Sequence, residues 1–366
     1  MKIVIFGLSI TSSWGNGHAT LWRGLCTALE RRGHKVVFFE RDVHYYAAHR
    51  DYFELPGNGE LILYRDWPEI IATVRQHLRD ADVGMVTSYC PDGVPASEVL
   101  LDSSVPLRTF YDLDTPVTLD RLHAGLPVEY IGPRGLQDFD LVLSYTGGEA
   151  LQELKSQLGA RNVAPLYGSV DPAVHRPSEP DDRYSADLSY LGTNSADRDA
   201  VLHTLFVEPA RRLPESKFML GGAQYDGSFP WLNNIYFSGH VPSVDHPAFY
   251  CSSKLTLNVT RRPMAAMGYC PSGRLFEATA CQAPVVSDRW KGIESFFEPD
   301  SEILLASETE DVLRAMQRAP QELKKIAEAG RERTLAHHTA DARAGELEAL
   351  FESAFRPVAV SATREH

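Results

Sequence analysis

The sequence predicts an α/β protein made of two Rossmann-like domains, each built on a parallel sheet. Three observations lead to this fold class. At 366 residues the chain exceeds one ordinary hydrophobic core, so two domains are expected. Short apolar runs alternate with amphipathic helical stretches in both halves, as in parallel sheets covered by helices. The alternation stops only once, across residues 166–186, and then restarts.

The first half, residues 1–165, is predicted to form the first domain. Six apolar runs are continuous enough for strands buried on both faces: KIVIFGLSI, KVVFFE, ELILY, DVGMVTSY, PLRTFY and FDLVLSY. Three amphipathic stretches lie between or after them and predict helices: HATLWRGLCTALERRG, WPEIIATVRQHLRD and GEALQELKSQLG. In the first helix, Leu21, Leu25 and Leu29 recur at helical spacing, and Gly33 follows as a stop signal.

Residues 166–186 carry prolines, glycine and acidic residues with little apolar periodicity, which predicts a linker. Residues 187–335 then form a predicted second domain, with the strands DLSYLG, SKFMLGG, NIYFSGHV, KLTLNVT and PVVSD. The helices DRDAVLHTLFVEPARRL and GRLFEATAC belong to the same domain. The tail, 336–366, contains the amphipathic helix TADARAGELEALFESAF. Ligands of such folds bind where the carboxyl ends of the strands meet, so we expect an interdomain cleft.

Composition narrows the class of partner. The chain has 36 Lys and Arg against 49 Asp and Glu, a net charge of −13, which disfavours nucleic acid as a partner. The 5 cysteines are scattered without a C-x-x-C pair, so a reducing cytoplasm is the expected location. The N-terminal pattern does not resemble a signal peptide, and no apolar run approaches the length of a transmembrane segment.

The loop WGNGHA directly follows the first strand and predicts a ligand-binding turn. Gly15 and Gly17 permit close approach of a ligand, Asn16 separates them, and His18 begins a helix. A helix N-terminus favours a neutral imidazole, so His18 is a candidate general base, although packing or capping explains it equally well. Glu40, which ends the strand VVFFE, imitates the ribose-binding acid of a dinucleotide site, but the G-x-G-x-x-G pattern is broken here.

Two further strand ends carry candidate residues. Asp112 and Asp114 form a D-x-D pair after PLRTFY; such a pair can grip a hard cation, but the following Thr-Pro favours an acidic turn. We therefore expect no metal there, and assign Asp112 as a second candidate catalytic residue and Asp114 to the cleft. Gly147 and Gly148 open a helix after FDLVLSY, where backbone amides are expected to face the cleft unless they serve only a tight turn.

The stretch PSGRLFEATACQAPVVS is the most informative part of the sequence. Ser272 and Gly273 begin a helix whose free N–H groups attract anions, and Arg274 adds a guanidinium suited to phosphate oxygens. Glu277 lies one turn later on the same side, where its carboxylate can accept hydrogen bonds from both hydroxyls of a ribose. A capped helix with an Arg–Glu surface pair is the alternative interpretation.

This stretch resembles the donor-binding motif of glycosyltransferases with the two-domain GT-B fold. The segments YGSVDPAVHRP, YLGTNSADR and FSGHVPSVDHPAFYCSSKLTLNVTR resemble their interdomain connection, phosphate loop and base-binding region. Together with YDLDTPVTL, the arrangement is similar to the CgeB-like family of glycosyltransferases. The resemblance implies a last helix that crosses back to the first domain. It also implies a donor-binding set of Thr193, Arg198, Gly239, His240, Val241, Tyr269, Ser272, Gly273, Arg274 and Glu277.

The implied reaction transfers a sugar from a nucleotide-diphosphate sugar, with UDP as the first expectation, to an acceptor hydroxyl or amine. No metal or further cofactor is expected, and the acceptor is left open among a glycan, a lipid-linked sugar, a protein and a small metabolite. Tyr269 stands where retaining relatives carry a second glutamate, which leaves sugar recognition and stereochemistry open. Two alternatives remain: an NAD-dependent oxidoreductase using Glu40, and a catalytically silent sugar-binding or spore-surface protein on the same scaffold.

Overall fold

The computed structural model describes residues 1–355 and contains two parallel sheets. The first sheet has seven strands in the order β3-β2-β1-β4-β5-β6-β7. The strands are β1 (Lys2–Gly7), β2 (Lys35–Arg41), β3 (Glu60–Tyr64), β4 (Val83–Thr87), β5 (Leu107–Asp112), β6 (Leu141–Ser144) and β7 (Val163–Pro165). Strand order reverses between β1 and β4, and the crevice beside such a switch point is where doubly wound sheets bind ligands.

Helices cover both faces of this sheet. They are α1 (Gly17–Arg31), α2 (His44–Ala47), α3 (Trp67–Leu78), α4 (Gly93–Leu101), α5 (Thr115–His123) and α6 (Ala150–Leu158). Two buried clusters fill the space between sheet and helices, one around Trp22 and Phe38 and the other around Phe6 and Phe110.

The second sheet has six parallel strands in the order β10-β9-β8-β11-β12-β13. The strands are β8 (Ala186–Leu191), β9 (Phe218–Gly221), β10 (Ile235–Gly239), β11 (Ser253–Asn258), β12 (Val285–Asp288) and β13 (Leu304–Ala306). Here the order reverses between β8 and β11, so the loops after these two strands line the second switch point.

The helices around the second sheet include one irregular stretch, in which a π-helix, His203–Val207, joins two short α-helices. The α-helices are α7 (Asp199–Leu202), α8 (Glu208–Arg212), α9 (His246–Cys251), α10 (Arg262–Met267), α11 (Gly273–Ala280), α12 (Thr309–Gln317) and α13 (Pro320–His337). Single 3-10 turns occupy Asp182–Tyr184, Ser243–Asp245 and Ile293–Ser295.

The last described helix, α14 (Ala340–Phe355), packs against the first half of the chain. Leu347 and Phe351 are buried in the same cluster as Trp22 of α1. At the surface of this contact, Arg31 donates to Asp341 at 3.0 Å. Residues 356–366, the end of the predicted tail, lie outside the described residues.

The structure confirms the predicted fold class of two parallel-sheet α/β units. The apolar runs identified in the sequence all form strands. The short strands β7 and β13 were not predicted, nor were the helices α2, α4, α5, α10, α12 and α13. Among residues 1–355, no helix has the combination of length and apolar composition that a membrane-spanning segment requires.

Candidate functional site

A cavity of about 540 Å³ lies between the two sheets. Its first wall comes from the loops after β1, β4 and β5, and its second from the loops after β8 and β11 and the start of α11. Both switch points therefore face one space. Of the predicted residues, the cavity is lined by Gly15, Asn16, Gly17, His18, Asp114, Thr193, Arg198, His240, Val241, Ser272, Gly273, Arg274 and Glu277.

In the loop before α1, Asn16 holds the backbone rather than offering its side chain to a ligand. Its Oδ1 accepts from the His18 N–H at 3.0 Å, and its Nδ2 donates to the carbonyls of Ser9 and Ser12. Gly15 has φ +61° and a Cβ there would stand 3.0 Å from the Tyr45 hydroxyl, so a side chain is disfavoured. Asn16 thus lines the cavity and also caps α1, whose first residue is Gly17, directly before His18.

His18 and Asp114 form a buried pair on the first wall. Nε2 of His18 lies 2.8 Å from Oδ2 of Asp114, and the two side chains are only 15% and 10% exposed. Burial alone raises the pKa of Asp114, but His18 and Arg261 outweigh it and keep the pKa below its ordinary value. Asp114 therefore stays ionised and holds the proton on Nε2 of His18. In the neutral form of the ring the lone pair then lies on Nδ1, an atom that is buried and has no partner among residues 1–355.

Asp112 lies beneath this pair and does not line the cavity. It is 0% exposed, and its Oδ1 accepts from the Asp114 N–H at 3.0 Å. Burial raises its pKa to about 7, so a carboxylic acid rather than a carboxylate is favoured below that pH. This placement argues against Asp112 as a base that contacts the acceptor. Instead, it positions the turn that carries Asp114.

Three arginines converge on the second wall. Nη1 of Arg274 donates to Asn258 at 2.9 Å, and its guanidinium lies over the ring of Tyr190. Nη1 of Arg198 donates to the Thr193 carbonyl at 3.1 Å. Arg261 follows β11 and is fixed by Asp197 at 2.7 Å.

The closeness of the like charges of Arg198, Arg261 and Arg274 indicates a site that binds an anion. Burial first, and then the charges of Arg274 and Arg261, lower the pKa of Arg198, whose Nε has no partner among residues 1–355. The N-terminus of α11 adds its free N–H groups to the same wall. The arrangement therefore suits an anion of more than one charge, such as a diphosphate.

Glu277 lies one turn into α11 and faces the first half of the chain. Its Oε1 accepts from the Thr20 hydroxyl at 3.1 Å, and its Oε2 accepts from the Tyr250 hydroxyl at 3.4 Å. Two imidazoles flank it: Nε2 of His175 lies 4.0 Å from Oε1, and Nδ1 of His246 lies 3.7 Å from Oε2. Burial lowers the pKa of His175 to about 4, so this imidazole is neutral near pH 7.

The predicted base-binding segment only partly faces the cavity. His240 and Val241 line it, whereas Gly239, which has φ +69°, does not. The ring of Trp14 lies 4.4 Å from that of His240 and 4.1 Å from that of His49, so one aromatic contact joins the two walls.

Tyr269, Gly147 and Gly148 lie together outside the cavity. The N–H of Gly147 donates to the Tyr269 carbonyl at 3.0 Å. A Cβ on Gly148 would come within 2.6 Å of the Tyr269 ring, and one on Gly292 within 2.4 Å. These three predicted residues therefore make a close contact between the two units instead of lining the donor or acceptor wall.

Glu40, the acid considered for a dinucleotide site, is hydrogen-bonded to the loop after β1 instead. It is 0% exposed, and its carboxylate accepts from the Ser9 hydroxyl at 2.9 Å and the Ile10 N–H at 2.8 Å. It also accepts from the backbone and hydroxyl of Thr11. The carboxylate therefore fixes the loop after β1 and has no free oxygen for a ribose, which disfavours the oxidoreductase alternative.

Sequence reasoning missed several cavity residues. Arg261 follows the strand KLTLNVT directly, and that position at a switch-point strand is the signal that could have identified it. Thr20, Tyr89 and His246 are brought to the cavity by tertiary contacts that no local pattern reports.

Comparisons with known proteins concern the fold and the second half of the chain. The profile of a family described as glycosyl transferase-like matches residues 198–349, which include the second-wall residues Arg198, Arg261, Arg274 and Glu277. The Anabaena protein HepE, solved in complex with UDP and glucose, superposes with a TM-score of 0.67 at 14% identity, covering 96% of this chain and 100% of that one.

The chain has the GT-B fold.

Two other solved structures extend the likeness. Sucrose-phosphate synthase from Thermosynechococcus elongatus gives a TM-score of 0.67 at 14% identity, covering 97% of this chain and 99% of that chain. An alpha-glucosyltransferase in complex with UDP-glucose and DNA containing an abasic site gives 0.70 at 11% identity, with 96% and 99% covered. A comparison with curated proteins gives no match. At these identities the GT-B likeness concerns the fold, and the role of each side chain rests on the geometry above.

Proposed function

We propose that this GT-B chain is a glycosyltransferase that uses a nucleotide-diphosphate sugar, with UDP as its nucleotide. The observation that carries the proposal is one cavity with two chemically different walls. The second wall combines three arginines, a helix N-terminus and the carboxylate of Glu277; the first presents the His18–Asp114 pair. UDP or UDP-glucose is bound by several solved structures of this fold, which supports the choice of nucleotide.

In the proposed complex, the diphosphate lies against Arg198, Arg261 and Arg274, and the ribose hydroxyls donate to Glu277. Positive groups placed at the diphosphate stabilise the charge that develops as the bond to the sugar breaks. Because three guanidiniums and a helix N-terminus supply this charge, we propose that transfer requires no divalent metal. Residues 187–335 would thus be the donor domain and residues 1–165 the acceptor domain.

The acceptor hydroxyl or amine would enter from the first wall. With Nε2 of His18 held by Asp114, Nδ1 is the remaining basic position of the ring; it is buried in this structure, so acceptor binding would have to uncover it. Nδ1 would then remove the acceptor proton as the acceptor oxygen or nitrogen attacks the sugar carbon and the nucleotide diphosphate leaves. The exclusion of water between the walls then favours transfer over hydrolysis. The net charge of −13 supports an acceptor other than nucleic acid, namely a glycan, a lipid-linked sugar, a protein or a small metabolite.

Within this fold we place the chain with the CgeB-like enzymes, on the segments YDLDTPVTL and PSGRLFEATAC. The cysteines, all free among residues 1–355, support a reducing location, and we propose the cytoplasm.

A thermal-shift screen against UDP-, GDP-, TDP- and CMP-sugars and NAD(H) tests the proposal. A stabilising shift with a nucleotide-diphosphate sugar, lost in Arg274→Ala, is expected, because a ligand that binds only the folded state raises Tm. Stabilisation by NAD(H) alone would overturn it. Binding of the sugar nucleotide without turnover over a panel of acceptors would favour the silent sugar-binding protein instead.

A further inference from the structure

His175, His246 and Glu277 form a cluster of metal-ligand type at the edge of the donor wall. The three come from separate elements: the segment between the two sheets, α9 and α11. One ligand atom from each residue lies within 4.8 Å of the others. Imidazole nitrogen and carboxylate oxygen are ligands that Zn²⁺ accepts, and two histidines with one glutamate form a known set for open zinc sites.

The distances within the cluster match a shared ion better than direct hydrogen bonds. Nε2 of His175 lies 3.5 Å from Nδ1 of His246, and the carboxylate of Glu277 lies 4.0 and 3.7 Å from these atoms. Ligand atoms bound tetrahedrally at the usual zinc distances stand roughly 3.4 Å apart. Small rotations of three side chains would therefore bring all three atoms to zinc distance.

Burial and access also fit an open site. The side chain of His175 is 4% exposed, that of Glu277 12% and that of His246 14%. Glu277 and His246 line the large cavity, so a fourth position on a bound ion would face the cavity. Nδ1 of His175 has no acceptor among residues 1–355, and lack of such support weakens metal affinity about 10–100-fold. We accordingly expect weaker binding than at a zinc site whose histidines are all supported in this way.

We propose that His175, His246 and Glu277 bind one Zn²⁺ ion, and that the bound ion excludes the donor nucleotide. The second part rests on the proposed function, because there Glu277 must accept from the ribose hydroxyls. In the proposed complex the two ribose hydroxyls donate to the carboxylate of Glu277, and an oxygen that coordinates the ion is no longer free to accept from them. The ion and the nucleotide therefore compete, and each weakens binding of the other by the same factor. Zinc would thus act on this enzyme as an inhibitor and not as a cofactor.

Titration of the whole chain with ZnCl₂ against a competing colorimetric chelator tests the site itself. We expect one ion per chain, with Kd raised about tenfold or more in His246→Ala and in His175→Ala. His123→Ala is the matched control, because this exposed histidine pairs with Glu153 at 3.0 Å and lies apart from the cavity. His246 is the better probe, since it is less buried than His175 and its loss disturbs the fold less; Tm without metal checks this. No binding, or binding unchanged in both variants, would overturn the site.

Titration with UDP-glucose at buffered free Zn²⁺ then tests exclusion. We expect the apparent Kd of UDP-glucose to rise with the zinc concentration in the wild type and to be independent of zinc in His246→Ala. The comparison of the two proteins controls for zinc that the diphosphate binds in solution. Equal UDP-glucose affinity with and without bound zinc would overturn exclusion. If zinc binds but UDP-glucose does not bind even without zinc, the proposed function fails and exclusion with it, whereas the metal site stands.

Discussion

Replacing Asp114 by asparagine should remove most of the base function of His18 while leaving nucleotide binding intact. In the wild type, Oδ2 of Asp114 lies 2.8 Å from Nε2 of His18 and selects the tautomer with its lone pair on Nδ1. An asparagine that presents its NH₂ group to Nε2 would instead favour the tautomer with a proton on Nδ1. The imidazole would then face the acceptor as a donor and could not remove its proton.

The expected fall in kcat equals the rate contribution of general base catalysis by His18. General base catalysis contributes about 10²–10⁴ in rate, so kcat should fall by that factor, equivalent to about 3–5 kcal/mol of barrier. Asp114 belongs to the first wall, and the arginines proposed to bind the diphosphate belong to the second. The Kd of UDP-glucose should therefore change less than about threefold, a difference below 1 kcal/mol.

The assay measures UDP release, either with an identified acceptor or during slow hydrolysis, in which water takes the place of the acceptor. Asp120→Asn is the matched control, because this exposed carboxylate lies on α5, the helix that begins directly after Asp114. A kcat within twofold of the wild type in Asp114→Asn would refute the assignment. So would a loss of UDP-glucose affinity as large as the loss of rate, since that result would indicate general damage to the cleft.

The remaining predictions concern the donor wall, the buried acid and metal dependence. Glu277→Gln should raise the Kd of UDP by about 10–100-fold, since hydrogen bonds to a charged group are worth about 1.5–3 kcal/mol, and should affect a nucleotide lacking the ribose hydroxyls far less; equal losses for both would remove Glu277 from the ribose site. Arg261→Ala should weaken UDP much more than uridine, as calorimetry can show, and equal weakening would contradict a diphosphate contact. Because burial raises the pKa of Asp112 to about 7 from 3.8, the folded state holds this proton more tightly than the unfolded state, and stability from this group falls as pH rises from 4 to 7. The Tm of Asp112→Asn relative to the wild type should therefore rise as the pH rises from 4 to 7, and the corresponding gain in unfolding free energy is at most about 4 kcal/mol. A Tm difference that stays the same over this pH range would refute the raised pKa of Asp112. Activity should survive EDTA, and complete dependence on added Mg²⁺ or Mn²⁺ would contradict transfer without a metal.

The longer strands could be predicted from the sequence because both sheets are parallel and buried on two faces, which leaves uninterrupted apolar runs such as KIVIFG and KLTLNV. The sequence also predicted residues on both walls of the cavity, because glycine loops and helix N-termini that follow strands lie at the switch points. The short strand Leu304–Ala306 left no comparable signal, because three residues give too little periodicity to distinguish it from a loop.

The pairing of site residues could not be predicted in the same way. His18 and Asp114 are 96 positions apart, and only the order of the first sheet brings their loops together. The resemblance to GT-B glycosyltransferases assigned Tyr269 to the donor, but its backbone has φ +47°, and its ring packs against Gly148 and Gly292. Glu40 has the position at a strand end that is expected of a ribose-binding acid. Only the contacts of its carboxylate, with Ser9, Ile10 and Thr11, show that it has a structural role.

We propose above that the second wall binds a nucleotide diphosphate. The most direct measurement is calorimetric titration of the whole chain with UDP and, separately, with NAD⁺, repeated with Arg274→Ala. We expect one UDP to bind per chain, no NAD⁺ to bind, and the UDP affinity of Arg274→Ala to be lower by tenfold or more, which is a free-energy difference of at least about 1.4 kcal/mol. Binding of NAD⁺ without UDP, or UDP affinity unchanged in Arg274→Ala, would contradict it.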